Sequence, residues 1–236
     1  MPIHARLAEG AEHTLPAVFV HGVGVASRYF EPTLGRLAGR RGWAPDLPGF
    51  GLSPAQRSRP TVSALADGLE AWLVAAGLER AALVGNSVGC QIVVEVARRG
   101  NERVERVVLV GPTFDPAART VPRSLARWVR NAVHEPLSLL PILARDYARA
   151  GVRGPAHLFL DALHQPVEAK LAAVLVPTLV VRGERDGIVS SAWAAEVARL
   201  LPDGRLVEIP DAPHTVNYSA AADLGDLLEP FLAEGD

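Results

Sequence analysis

The chain has 236 residues, 49% of them hydrophobic and 21% charged, and 24 basic against 26 acidic side chains leave a formal charge of −2. That length and apolar content suffice for one well-packed core, which excludes a disordered polyelectrolyte and makes a single domain with an insertion the expected organisation. The even charge balance, with no basic run, excludes nucleic acid as the main partner, and the single cysteine, Cys90, excludes an internal disulfide framework or a thiolate zinc site.

The opening residues show no basic segment followed by a long apolar one. "LPAVFV" falls far short of the ~18 residues a membrane span needs, so no membrane partner and a cytoplasmic location are expected. Short β-rich runs then alternate with helix-length amphipathic stretches. "PAVFVH" (16–21) reads as a strand, "RYFEPTLGRLAGR" (28–40) as a helix and "WAPDLP" (43–48) as a strand. "TVSALADGLEAWLVAAG" (61–77) reads as a helix, "RAALVG" (80–85) as a strand, "CQIVVEVARR" (90–99) as a helix and "RVVLVG" (106–111) as a strand. Such alternation implies right-handed crossovers and a mostly parallel sheet with helices on both faces, and the continuous apolar runs suit strands buried on both sides. From residue 112 to 170 the rhythm breaks. "SLARWVRNAV", "PLSLLPILARDYARAG" and "GPAHLFLDALHQ" are helix-like and punctuated by Pro or Gly, so this segment is expected to be an all-helical cap insertion. The α/β rhythm resumes with "PTLVVRG" (177–183), "SAWAAEVARLL" (191–201), "RLVEIP" (205–210) and a closing helix "AADLGDLLEPFLA" (221–233). The expected plan is an α/β core of residues 1–111 and 171–236 with the cap at 112–170.

In open sheets of this kind ligands bind beyond the carboxyl ends of the strands, so the polar residues that follow strands are the candidates. Gly22, Gly24 and Ser27, with Asp46 after the next strand, mimic a dinucleotide fingerprint. However, Ser27 stands where that motif needs a small residue for helix–strand packing, and the reading leaves His21 and "GNSVG" unexplained. In "GNSVG", Gly85 to Gly89, the serine falls on a sharp strand-to-helix turn whose glycines let neighbouring backbone pass. Ser87 would then project its hydroxyl above the sheet, with the N–H groups of the following helix directed toward developing negative charge. The bland alternative is that Ser87 caps that helix. A nucleophilic serine needs a base, and the base an orienting carboxylate. Asp186 in "GERDG" and His214 in "PDAPH" follow later strands in the order serine, acid, histidine. Alone, Asp186 reads as a turn residue and His214 as a loop histidine; together with Ser87 they point to a triad.

"HGVG" (21–24), "DLPGFGLS" (46–53), "GNSVG" (85–89) and "GERD" with "APH" toward the end resemble the α/β-hydrolase fold superfamily over nearly the whole chain. The resemblance implies an oxyanion hole made by the main-chain N–H groups of Val23 and Val88, a structural His21, and neither metal nor cofactor. It argues against dehalogenase or epoxide hydrolase chemistry, because those enzymes carry Asp where Ser87 stands. The "GNS" turn is similar to that of hydrolases that cleave carbon–carbon bonds in aromatic ring-cleavage products, which usually continue with Gly where this chain has Cys90. Cys90 itself reads as a small buried helix residue. The segment before "PAVFVHG" is short, so one early antiparallel strand is expected to be missing. Asp115 follows the strand at 106–111, where some members place their acid; the "GERD" context favours Asp186, and Asp211 reads as a turn residue.

In the insertion Leu125, Trp128, Val129, Ala132 and Val133 recur at helical spacing, and "LSLLPILARDY" is apolar nearly all round. Most of these residues are expected to pack the cap on the core. Leu125, Trp128 and Tyr147 are candidate walls of a mainly apolar substrate pocket. His134, His157 and His164 lie at no metal-ligand spacing. The expected activity is that of a serine hydrolase, a carboxylesterase for small to medium apolar esters acting through an acyl-enzyme. The same residues would serve a carbon–carbon hydrolase of vinylogous diketones or a cofactor-free perhydrolase, and a ligand-binding module with a silent triad is the non-enzymatic alternative.

Overall fold

The computed structural model describes residues 2–37, 39–56 and 59–234, and its apolar runs assemble into one seven-stranded sheet. The strands are β1 (Ala5–Ala8), β2 (Ala17–Val20), β3 (Gly42–Pro45), β4 (Ala81–Asn86), β5 (Val104–Val110), β6 (Thr178–Gly183) and β7 (Gly204–Ile209), in the spatial order β1-β3-β2-β4-β5-β6-β7. β1 lies antiparallel to β3 at one edge, so the short segment ahead of β2 supplies a single antiparallel strand. The remaining neighbours are parallel. Strands β2, β4 and β6 are buried along their whole length, as their runs of Ala, Val and Leu require.

Successive side chains of a strand face opposite sides, and the two sides feed two cores. Leu83, Val107, Leu109 and Val180 pack on one side with Leu65, Leu69, Ile92 and Val197 from the helices. Ala82, Val84, Val108 and Val181 pack on the other with Leu34, Leu224, Leu228 and Phe231. The helices on the chain are α1 (Glu31–Leu34), α2 (Val62–Ala75), α3 (Val88–Arg98), α4 (Val121–Ala132), α5 (Leu140–Ala150), α6 (Arg153–His164), α7 (Glu168–Leu171), α8 (Ser191–Leu200), α9 (Val216–Ser219) and α10 (Ala221–Ala233). Helix α2 begins where the Thr61 hydroxyl accepts from the Ala64 N–H at 3.1 Å, a side-chain cap worth roughly 1 kcal/mol. The stretch read as one helix over 28–40 is instead a 3₁₀ turn, Ser27–Phe30, followed by the four residues of α1. Pro32 sits at the start of α1 and Gly35 ends it, which leaves room for a single turn only.

Among the described residues, the segment between β5 and β6 holds helices α4 to α7 and no strand. It is tied to the sheet side by polar contacts as well as apolar ones. The Asp161 carboxylate of α6 accepts the Val62 N–H at 2.8 Å, and the Asp146 carboxylate of α5 accepts the Ala26 N–H at 3.0 Å. Leu158, Ala162 and Leu163 join the first core and Leu139 the second. The chain leaves β2 toward β3 on one side and returns through β4 on the other, so the loops after β2 and β4 stand side by side, with Val20 paired to Gly85. A switch of direction of this kind opens a crevice at the carboxyl ends of the two strands.

Candidate active site

The turn between β4 and α3 is tight because three backbone segments converge on it. A Cβ added to Gly89 would stand 2.2 Å from the Val20 carbonyl oxygen, and one added to Gly85 would stand 2.7 Å from the Gly89 backbone. Only hydrogen at these positions lets the turn close. Ser87 between them has φ 57° and ψ −122°, a conformation that L-residues avoid unless the surroundings impose it. Here the Ser87 N–H donates to Val110 at 2.9 Å and its carbonyl accepts from Cys90 at 3.0 Å. The Ser87 side chain makes no capping hydrogen bond to α3, so its hydroxyl is free of the duty that would otherwise explain it.

His214 and Asp186 come from the loops after β7 and β6, which are adjacent parallel strands. The His214 Nδ1–H donates to Asp186 Oδ2 at 2.7 Å, and both residues are 5% exposed. The other carboxylate oxygen, Oδ1, accepts the Ile188 N–H at 2.7 Å and the Val189 N–H at 2.9 Å. One oxygen is therefore anchored to the backbone while the other fixes the ring and its tautomer. His214 Nε2 has no hydrogen-bond partner among the described residues. Burial pushes the imidazole pKa down, but the Asp186 charge, its hydrogen bond and the Glu135 charge outweigh this and hold it above the ordinary value. For Asp186, burial pushes the pKa up; the His214 charge and the three hydrogen bonds outweigh it, so the carboxyl sits below its usual range.

Ser87 and His214 line one cavity of about 330 Å³, near the lower end of the ~300–1,000 Å³ typical of ligand sites. Gly22 and Val23 enter it from the loop after β2, Trp128 and Tyr147 from α4 and α5. The Val23 N–H makes no hydrogen bond among the described residues. Val88 does not line the cavity with its side chain, which is buried, but as the first residue of α3 its amide has no acceptor within the helix.

Other candidates are occupied elsewhere. Asp115 caps the 3₁₀ turn Pro116–Ala118 through the Ala117 N–H at 2.8 Å and pairs with Arg127 at 2.9 Å and Ser190 at 3.1 Å. Asp211 is an exposed turn residue with φ 57° whose carboxylate pairs with Arg185. His21 donates from Nδ1 to the Gly22 carbonyl at 2.8 Å and accepts the Leu47 N–H at Nε2 at 2.9 Å. Both ring nitrogens are used, and burial lowers its pKa, so the ring is a neutral brace between two loops. Asp46 is likewise consumed, accepting the Ser27 and Leu52 N–H groups at 2.7 and 2.8 Å. Cys90 is buried against the Gly85 and Val110 carbonyls, and burial raises its thiol pKa.

Leu125 requires a correction: it is 51% exposed and does not line the cavity. Helix α4 turns Ser124, Trp128 and Asn131 inward, while Leu125, Val129 and Val133 lie on its outer side. The apolar stripe marked the helix but not which way it faced. Sequence reasoning also missed the residues that brace the site. The Tyr29 hydroxyl donates to Asn86 Oδ1 at 2.8 Å and accepts the Gly22 N–H at 3.3 Å. Asn86 Nδ2 in turn donates to the Val110 carbonyl at 3.2 Å and the His214 carbonyl at 3.5 Å. Asn131 and Glu135 also line the cavity; the spacing of Ser124 and Asn131, seven residues apart on one face, is a signal for Asn131, and Glu135, beyond the end of α4, has none. Among the described residues no group of three or more His, Cys, Asp or Glu side chains is gathered as a metal site, and no helix is long and apolar enough to cross a membrane.

The chain as a whole is similar to known proteins. A 2-hydroxymuconate semialdehyde hydrolase from Pseudomonas sp. (strain CF600) is 29% identical over 94% of this chain and 88% of its own. A pimeloyl-[acyl-carrier protein] methyl ester esterase from Aromatoleum aromaticum is 29% identical over 90% of this chain and 96% of its own. The solved structure of a thermophilic esterase from Thermogutta terrifontis superposes with a TM-score of 0.78 at 22% identity, covering 98% of this chain and 93% of that one, which shows a shared fold. The family model described as "Alpha/beta hydrolase family" matches residues 17–227, from β2 into α10, and the chain belongs to that family.

Proposed function

We propose that the protein is a serine carboxylesterase for small to medium, neutral and mainly apolar esters, with residues 112–170 as the cap over the site. The observation that carries this reading is the unpartnered His214 Nε2 sharing an apolar cavity with Ser87, while Asp186 holds the opposite ring nitrogen. Ser87 Oγ attacks the ester carbonyl as His214 Nε2 takes its proton. The resulting oxyanion is met by the Val23 and Val88 N–H groups, each such donor being worth ~10²–10³ in rate. Collapse expels the alcohol, to which His214 returns the proton, and leaves Ser87 acylated. Water then enters by the same route, His214 taking its proton and giving one back to Ser87 as the acid departs. Ser87 and His214 Nε2 share the cavity without a hydrogen bond between them, a separation that such pairs commonly close in the Michaelis complex.

A carbon–carbon hydrolase would use the same residues, and the named substrate of one relative, a muconate semialdehyde, is a carboxylate. The charge of the cavity favours an ester instead. Among the described residues its lining contains no Arg or Lys to meet a carboxylate and contains the acidic Glu135. With an acidic side chain in the lining and no cation there to offset it, a carboxylate would lose its hydration without a compensating partner, whereas a neutral ester would not. The other relative is an esterase acting on a methyl ester. The reading is tested by following p-nitrophenol release from p-nitrophenyl butyrate by wild type and Ser87→Ala at equal folded concentration. Turnover lost in the variant is the expected result. Equal release by both proteins, or none from folded wild type, overturns it.

A further inference from the structure

Helix α4 and the turn after it touch both loops that carry the acid and the base. The Gly187 N–H, next to Asp186, donates to Asn131 Oδ1 at 3.0 Å. Asn131 Nδ2 donates to Glu135 Oε1 at 2.8 Å. The same oxygen accepts the N–H of Thr215, next to His214, at 3.0 Å, and Glu135 Oε2 accepts from the Thr215 hydroxyl. Gly187 approaches so closely that a Cβ on it would meet the Asn131 backbone at 3.0 Å. A continuous chain of hydrogen bonds thus runs from the acid's loop through the cap to the base's loop. Every group facing Glu135 in this chain is a donor, which is the set an ionised carboxylate satisfies. Among the described residues none of its hydrogen bonds is to Ser87 or to the His214 ring.

We propose that Glu135 is a positioning residue for His214, its carboxylate fixing the base's loop through Thr215 and making the base competent only when α4 is seated. This rests on the serine hydrolase reading above. Two consequences separate from one another. The hydrogen bonds set where the imidazole stands, and misplacement of a catalytic group by about 1 Å costs on the order of 10² in rate. The negative charge favours the protonated ring. The charged groups acting on His214 are Asp186, from the loop after β6, and Glu135, from the turn after α4. Asn86 of β4, Gly111 after β5 and Thr215 itself bring neutral groups.

The test uses the whole protein in two variants, with ester turnover against pH and an NMR titration of the His214 ring as readouts. Glu135→Gln keeps the acceptor for the Thr215 N–H and removes the charge. Its plateau kcat is expected to stay within a few-fold of wild type, while the acid limb of the profile and the ring titration both move to lower pH. Glu135→Ala removes the hydrogen bonds as well and is expected to lose ~10-fold or more in kcat, with KM changed less than about two-fold. Thr215→Val, which removes the hydroxyl bond alone, serves in its place if Glu135→Ala does not fold and is expected to lower kcat in the same direction. Wild-type kcat in the folded variants that lose bonds, or an unmoved acid limb and ring titration in Glu135→Gln, overturns the proposal. Absence of ester turnover in wild type would sink the esterase reading instead; the ring titration would then still decide the role of Glu135.

Discussion

Replacing Asp186 by Asn tests the assignment of the acid through the tautomer of His214. In the native site Oδ1 accepts two main-chain N–H groups, at 2.7 and 2.9 Å, and only Oδ2 faces the imidazole. An asparagine can keep the first pair of bonds only by placing its carbonyl oxygen at Oδ1, which puts its NH₂ against His214 Nδ1. The ring then accepts at Nδ1 and carries its proton on Nε2, where it cannot take one from Ser87. In a triad this wrong tautomer lowers kcat by on the order of 10⁴, about 5 kcal/mol of barrier. The cost to stability is smaller. A charge-assisted hydrogen bond contributes roughly 1.5–3 kcal/mol, partly offset because a neutral amide is cheaper to bury than a carboxylate. A net loss of about 1–2 kcal/mol lowers the Tm of a chain this size by roughly 2–8 °C, which leaves the variant folded at 25 °C. Asp115→Asn removes a partner of Arg127 and Ser190 and no hydrogen bond to the imidazole, and is expected to change kcat less than about ten-fold. The assay is initial-rate hydrolysis of p-nitrophenyl butyrate at saturation, with thermal melts of the same samples. An Asp186→Asn protein with more than about a tenth of wild-type kcat, or a larger loss in Asp115→Asn, would refute this reasoning.

The pH profile follows from the raised His214 pKa: kcat/KM should rise with pH and level off only above the ordinary imidazole value, as the ring loses its proton to become a base. For stability the signs run oppositely for the two partners. The Asp186 contribution is complete above the unfolded value of 3.8 and is lost as pH falls through the depressed folded pKa; the His214 contribution is complete below 6.5 and is lost as pH rises through the raised one. Melting temperatures of wild type and Asp186→Asn should therefore differ most between those two values. Gly111→Ala introduces a Cβ 2.9 Å from the His214 ring at a residue with φ 58°, so kcat should fall by ~10² or more with a Tm loss of a few degrees, as steady-state kinetics and melts would show. Trp128→Ala should enlarge the cavity and shift preference toward longer acyl chains across a p-nitrophenyl ester series, whereas Leu125→Ala should leave that series unchanged because Leu125 lies outside.

The alternation of strands and helices, the helical stretch between β5 and β6, and the strand-end positions of Ser87, Asp186 and His214 are all legible in the linear chain. These are local facts: a buried parallel strand needs a continuous apolar run, and a turn as tight as that at Ser87 needs glycine on both sides. Tertiary structure decided what reaches what. Asp115 and Asp186 both follow strands, and only the GERD context of Asp186 distinguished them locally; the strand order places β6 beside β7, so Asp186 meets His214, while Arg127 of α4 takes Asp115. Periodicity marked α4 as a helix but could not fix its rotation about its own axis. That rotation follows from polar anchors, Asn131 on Gly187 and Glu135 on Thr215, contributed by residues 56 and 80 positions away. Such long-range partners leave no period in the chain, which is why Leu125 was expected in the pocket and Glu135 was not.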